Sequence, residues 1–145
     1  MAKPTVGILG LNNDRVLLVR HEAGSGYNDH VFGLPSGRLQ PGETEIAAAV
    51  RELKEETGLI TEEKELVEFP SNYHLAKLLN RKDKEEREIE YSWRVFLCLK
   101  HSGELHKSVE TSPSWHALHE LEFLYLLPNV KDVVEAGLRF KTENL

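Results

Sequence analysis

A mixed α/β domain is what the sequence predicts, and three observations predict it. Short apolar stretches with strand patterns are interleaved with stretches of helical period. The chain is 145 residues long, enough for a single domain with its own hydrophobic core. No internal repeat, low-complexity tract or interdomain linker interrupts it, so one domain over residues 1–140 is expected. The last five letters, KTENL at 141–145, look like the remnant of an expression tag and are set aside.

The elements follow in order. TVGILGLNNDRVLLVRHE reads as two apolar strands around the turn signal Asn12-Asn13-Asp14. GSGYND is a loop, and HVFGLP a short strand. From Thr44 to Thr57 the pattern is helical: Thr44 suits the N-cap, Glu45 the first turn and Gly58 the C′ position. ELVEFPSNYHLAKLL holds one or two strands interrupted near Pro70. NRKDKEEREIE, with mixed charges and little to bury, is expected to be a solvated hairpin loop. YSWRVFLCLK is a largely buried strand, SWHALHELEFLYLL a strand end and a helix, and NVKDVVEAGLRF a last helix after Pro128.

Composition narrows the function classes. Hydrophobic residues are 40% and charged residues 29%, as in ordinary globular proteins. The longest apolar run, around Val95–Leu99, is too short to span a bilayer, and no secretory leader opens the chain, so no membrane partner is expected. The single cysteine, Cys98, leaves no internal disulfide and fits a reducing cytoplasm. A net charge of −6 disfavours binding to a nucleic acid polymer. A phosphorylated small molecule would need its repulsion screened, and a divalent cation would do so.

The helix is unusually acidic. With Glu52 at zero and about 100° per residue, Glu56 falls near 40°, Glu55 near 300° and Glu45 near 20°. Ala49, Leu53, Ile46 and Val50 fall between about 60° and 160°, with Arg51 and Lys54 on the remaining side. An acidic arc therefore flanks the core-facing arc. On spacing alone a solvated Glu/Lys face is the simpler reading. The like charges oppose one another, more so when desolvated, and a bound cation would relieve them. Oxygen ligands at i, i+3 and i+4 suit a hard ion such as Mg²⁺ or Mn²⁺. The preceding LPSGRLQPGE has Pro35, Gly37, Pro41 and Gly42, so the chain turns sharply there and can bring main-chain carbonyls towards such an ion.

These residues carry a resemblance. Gly37, Glu43, Arg51, Glu52, Leu53, Glu55, Glu56, Gly58 and Leu59 match the Nudix box in full, nine specified positions over 23 residues. The element order around the box is similar to the Nudix fold. The resemblance implies a mixed sheet sandwiched between helices with a loop–helix–loop catalytic motif. It implies hydrolysis of a nucleoside diphosphate linked to another group, with Mg²⁺ or Mn²⁺ as cofactor. By position, Glu52, Glu55 and Glu56 are the implied metal carboxylates and the main-chain carbonyl of Ser36 the loop ligand, although many relatives have glycine where this chain has Ser36. Gly37 and Gly58 shape the box, and Arg51 and Glu43 are similar to the family's pair that holds loop and helix in register.

Attack on a pyrophosphate is opposed by its own negative oxygens, so metal ions must neutralise them and orient water, and a carboxylate must take the water proton. The base is one of Glu52, Glu55 and Glu56 or, outside the box, Glu110, five residues before Trp115; Glu104 and Glu90 are weaker candidates. A base-stacking wall is expected among Tyr27, Phe32, Tyr73, Trp93 and Trp115, of which Phe32 and Trp115 are the substrate-binding candidates. Arg20 and Arg38 flank the box and could reach phosphates. His116 and His119 lack the partners of a tetrahedral zinc site, and Cys98 reads as a core residue. The short N-terminal region resembles MutT-type enzymes. A nucleoside triphosphate, oxidised forms included, cleaved to monophosphate and pyrophosphate is therefore the leading substrate. ADP-ribose, dinucleoside polyphosphates and a non-catalytic nucleotide sensor on the same fold are the alternatives. The family often dimerises, which makes a homodimer compatible with this reading.

Overall fold

A computed structural model describes residues 3–22, 30–70, 75–80, 85–109 and 111–145. The mixed sheet and flanking helices expected from the sequence are both present. The strands are β1 (Lys3–Asn12), β2 (Arg15–His21), β3 (Phe32–Gly33), β4 (Ser36–Arg38), β5 (Leu66–Glu68), β6 (Leu75–Asn80), β7 (Glu85–Cys98) and β8 (Thr111–Ala117). The helices are α1 (Glu45–Thr57) and α2 (Val130–Asn144), with 3₁₀ turns at Glu63–Glu65 and Leu118–Phe123.

The first two strands meet at the predicted turn, where Asn13 takes φ 58°, a conformation asparagine tolerates well. Beyond it β1 continues into a mixed arrangement. It runs parallel to β7 from Lys3↔Tyr91 to Gly10↔Cys98, and antiparallel to β4 from Thr5↔Arg38 to Gly7↔Ser36. β2 pairs with β8 along its whole length, from Arg15↔Ala117 to His21↔Thr111, and with β3 at Arg20↔Phe32.

Both faces of the sheet are covered, which is why its central strands read as continuous apolar runs. Val6, Ile8, Leu17, Phe96 and Cys98 face α1, where Ala48, Ala49 and Leu53 pack on them. The alternate residues Leu9, Leu11, Val16, Leu18, Val95 and Leu97 cluster with Val130, Val133 and Val134 of α2. The period of two along each strand thus delivers one row of side chains to each helix.

Three elements differ from the sequence expectation. The mixed-charge run is strand over Glu85–Glu90, paired with β6 from Leu75↔Glu90 to Asn80↔Glu85; antiparallel pairing satisfies the backbone whatever the side chains. Ser36–Arg38, read as loop, is β4, because β1 offers it an edge. The expected helix after β8 is a 3₁₀ turn instead. Leu118, Leu121 and Leu124 all join the α2-side cluster, and their spacing of three is the 3₁₀ period. α2 reaches Asn144 and so includes four of the five C-terminal residues set aside above.

Candidate active site

β4 and α1 meet through the turn at 39–44, and both ends of the helix are closed as predicted. The Thr44 hydroxyl accepts the Ala47 amide at 3.2 Å. Gly58 takes φ +85°, and its amide donates to the Lys54 carbonyl. A Cβ at Gly58 would come within 2.7 Å of the Glu104 carbonyl oxygen, so glycine is required there for space as well as for conformation.

Arg51 organises the acidic arc. Its Nε and Nη2 donate to the two Glu43 oxygens at 2.7 and 2.8 Å, a bidentate pair. Nη2 also donates to the Arg38 carbonyl at 3.0 Å. Nη1 donates to Glu52 Oε1 at 2.7 Å and to Glu55 Oε2 at 3.1 Å. The helical projection set Arg51 apart from the acids, but its side chain is long enough to curl over them. The hydrogen bonds from Arg51, then that from the Gln40 amide, lower the Glu43 pKa to about 2, and the Glu43 pairing raises that of Arg51.

The acidic arc is not a solvated face. Only 13% of the Glu52 side chain is exposed, against 56% for Glu55. Burial pushes the Glu52 carboxyl above its ordinary range, with Arg51 acting against that shift. Ala48, between Glu52 and Glu55 around the helix, is fully buried in the α1-side cluster. Gly37 in β4 lies directly against Glu52: a Cβ there would run into the carboxylate. The Ser36 amide donates to Glu56 Oε1 at 2.9 Å, which brings its main chain to the same cluster.

The other candidates are distributed as follows. Arg20 donates to Glu22 from Nε and Nη2 at 3.1 and 2.9 Å, and the Ser112 hydroxyl donates to the same Glu22 oxygen at 2.8 Å. These hydrogen bonds, that of Ser112 first, hold the Glu22 carboxyl below its usual range. Thr111 donates to the Glu56 carbonyl at 3.5 Å, while Ser112 and its strand partner Arg20 alternate onto the other face of the sheet. Phe32 packs on the α2 side, edge-on to His116 with ring centroids 5.2 Å apart. Trp115 lies on the opposite face, in the α1-side cluster, stacked on His101 at 5.3 Å. Trp93 packs on the α2 side over Gly7. Glu104 and His119 are exposed and Cys98 is buried. Glu110, Tyr27 and Tyr73 lie outside the described residues, as does the Glu90 side chain.

The donors fit a hard divalent cation in kind. Three carboxylates and a main chain lie along one partly desolvated side of α1, where the Arg51 guanidinium is shared among Glu43, Glu52 and Glu55. Among the described residues, no three His, Cys, Asp or Glu side chains are already grouped around one point: Arg51 draws Glu52 and Glu55, and Ser36 holds Glu56. Sequence reasoning overlooked Glu22, Ser112, Ser114 and Glu120 as members of polar clusters. The alternation Ser112-x-Ser114-x-His116 on one strand was the available signal.

Comparison with known proteins agrees with this architecture. Residues 1–136 match the NUDIX domain model. The fold is similar to a MutT Nudix hydrolase from Burkholderia pseudomallei, with TM-score 0.67 and 21% identity over 94% of this chain and 98% of that one. It is similar to the MutT protein of Bacillus halodurans, with TM-score 0.62 and 21% identity over 92% and 80%. It also resembles a bifunctional NMN adenylyltransferase/ADP ribose pyrophosphatase from Francisella tularensis, complexed with AMP and a manganese ion, with TM-score 0.66 and 20% identity over 96% of this chain and 42% of that one. No match was found among curated proteins. The complete glutamate box on α1, the helix-flanked mixed sheet and the domain match together identify the chain as a member of the Nudix hydrolase family, enzymes that act on pyrophosphate bonds.

Proposed function

We propose that this chain is a divalent-metal-dependent pyrophosphohydrolase that converts a nucleoside triphosphate, oxidised forms included, into monophosphate and pyrophosphate in the cytoplasm. The observation that carries the reading is the partly buried acidic arc of α1, pressed against β4 where only glycine fits. Arg51 offsets only part of the repulsion among these carboxylates, the remainder opposes folding, and that cost has a use if the site holds Mg²⁺ or Mn²⁺.

Glu52, Glu55 and Glu56 would hold the ion with the Ser36 main chain. Bound there, it supplies charge neutralisation for the phosphate oxygens and lowers the pKa of water. The chain's own residues do the rest. Arg51 stays anchored to Glu43 and Arg38 and fixes α1 against β4. One of the box glutamates, or Glu110, accepts the proton of the attacking water. Arg20 would meet a phosphate, and Phe32 would offer the base an apolar wall. Arg38, at the exposed end of β4, is a second phosphate contact. Trp115, on the α1 side of the sheet, is a separate aromatic candidate for the base.

ADP-ribose cleavage is the second reading, motivated by the similarity to the ADP ribose pyrophosphatase protein of Francisella tularensis. A product assay decides between them: canonical and oxidised triphosphates, ADP-ribose and diadenosine polyphosphates with Mg²⁺, repeated with chelator and with Glu56→Gln. Triphosphate turnover lost in both controls supports the first reading, and ADP-ribose turnover the second. No turnover on any member despite metal binding would favour a nucleotide sensor.

A further inference from the structure

The last turn of α1 is fastened from two sides. A helix leaves its final carbonyls without partners of its own. Here the Glu56 carbonyl accepts the Thr111 hydroxyl at 3.5 Å, and the Thr57 carbonyl accepts the His106 amide at 2.8 Å. His106 lies in the connection from β7 to β8, and Thr111 is the first residue of β8. That connection lies so close to the helix end that a Cβ at Gly58 would stand 2.7 Å from His106 Cδ2. On the other side, the Glu56 carboxylate accepts the Ser36 amide at 2.9 Å.

Thr111 is itself held. It is buried, and its hydroxyl lies 2.7 Å from the Ser108 hydroxyl. Its amide donates to Ser108 Oγ at 3.0 Å, and its carbonyl accepts the Ser108 amide at 2.9 Å. Bonds at both ends of the residue leave its side chain little rotamer freedom.

The two contacts of Glu56 join diverging parts of the sheet. β1 and β2 pair at Leu11↔Val16 and Asn12↔Arg15, the closed end of their hairpin. Away from that end β1 takes β4 as a partner and β2 takes β8. Glu56 spans the two arms, with its main chain on β8 and its carboxylate on β4.

We propose that Thr111, braced by Ser108, is a positioning residue. It fixes the Glu56 main chain so that the carboxylate stays on the Ser36 amide, the place where the pyrophosphohydrolase reading puts the metal ion. The inference rests on that reading for its consequence in metal binding, while the link from Thr111 to Ser36 can be measured without metal.

The test compares amide hydrogen exchange at Ser36 and Ile8 by NMR, in chelator. The Ile8 amide donates to the Pro35 carbonyl at 2.9 Å and serves as the neighbouring control. Thr111→Val puts a methyl group against the Ser108 hydroxyl and leaves the Glu56 carbonyl without its donor. It should speed Ser36 exchange about two- to tenfold, the worth of one hydrogen bond, with Ile8 unchanged. Ser108→Ala should act in the same direction, and Thr111→Ser, which keeps the hydroxyl, should restore the wild-type rate. Should Thr111→Val fail to fold, Ser108→Ala carries the comparison. Ser36 exchange that is unchanged, or that rises no more than that of Ile8, overturns the inference.

Mn²⁺ titration followed by electron paramagnetic resonance supplies the second readout. Thr111→Val should weaken binding by a similar factor in the wild-type background and by nothing further in Glu56→Gln. Equal losses in both backgrounds would mean that Thr111 acts through the fold as a whole, which also overturns the inference. If wild type binds no Mn²⁺, the metal-dependent reading fails, and the exchange comparison alone decides whether Thr111 sets Glu56.

Discussion

At the scale of single residues, Gly37 and Arg51 set the character of the site. Gly37 has no unusual backbone demand; it is glycine because the Glu52 carboxylate occupies the place of a side chain. Gly37→Ala must therefore displace either β4 or Glu52, at about 1–3 kcal/mol. We expect kcat to fall at least about tenfold while the far-ultraviolet circular dichroism stays native, and a full-activity alanine variant would refute the contact. Arg51 is the cation shared by three carboxylates. Arg51→Met leaves Glu43, Glu52 and Glu55 facing one another, at about 1–3 kcal/mol in chelator. Because Mg²⁺ then relieves a larger repulsion, the rise in Tm on adding it should exceed that of wild type. An equal or smaller rise would show that the ion does not bind at these carboxylates.

At the scale of elements, α1 depends on its caps to present the acidic arc to β4. Thr44→Ala removes the hydroxyl that accepts the Ala47 amide and should cost about 1 kcal/mol. For a domain of this size that is about 2–6 °C in Tm, measurable by calorimetry; an unchanged Tm would mean the cap contributes nothing. This helix was legible in the sequence because its caps, period and acidic spacing are all local. The hairpin turn at Asn13 and the apolar runs of β1 and of the end of β7 were legible for the same reason. What the sequence did not reveal depends on partners distant along the chain. Ala48 is buried only because the α1-side residues of the sheet close over it. Ser36–Arg38 is a strand only because β1 offers an edge. Glu120 meets His116 only because the chain tightens into a 3₁₀ turn after β8. Arg51 reaches the acidic arc from beside it, because a guanidinium extends well beyond the Cα direction that a helical projection follows.

At the scale of the whole molecule, acid should loosen the fold in two stages of the same sign. His21, in β2 between the two covered faces, is 8% exposed, and burial lowers its pKa to about 4 from 6.5. Between those values the unfolded chain carries a proton that the folded chain refuses, so stability falls as pH drops from about 6.5 to 4. The shift corresponds to about 3 kcal/mol at most, a large fraction of a typical domain's stability. Glu43 adds a second loss at lower pH. Arg51 and the Gln40 amide hold its carboxyl down to about 2 from 4.5. Its contribution is complete above about 4.5 and disappears as pH falls towards 2. The two windows barely overlap, so single substitutions can separate them. In urea titrations from pH 7 to pH 3, wild type should lose stability throughout. His21→Gln should be nearly level between pH 6.5 and 4.5, and Glu43→Gln should retain the upper loss while flattening the one below pH 4.5. A wild-type midpoint that does not change between pH 6.5 and 4.5 would mean that His21 takes up its proton in the folded state, and the buried neutral imidazole would have to be abandoned.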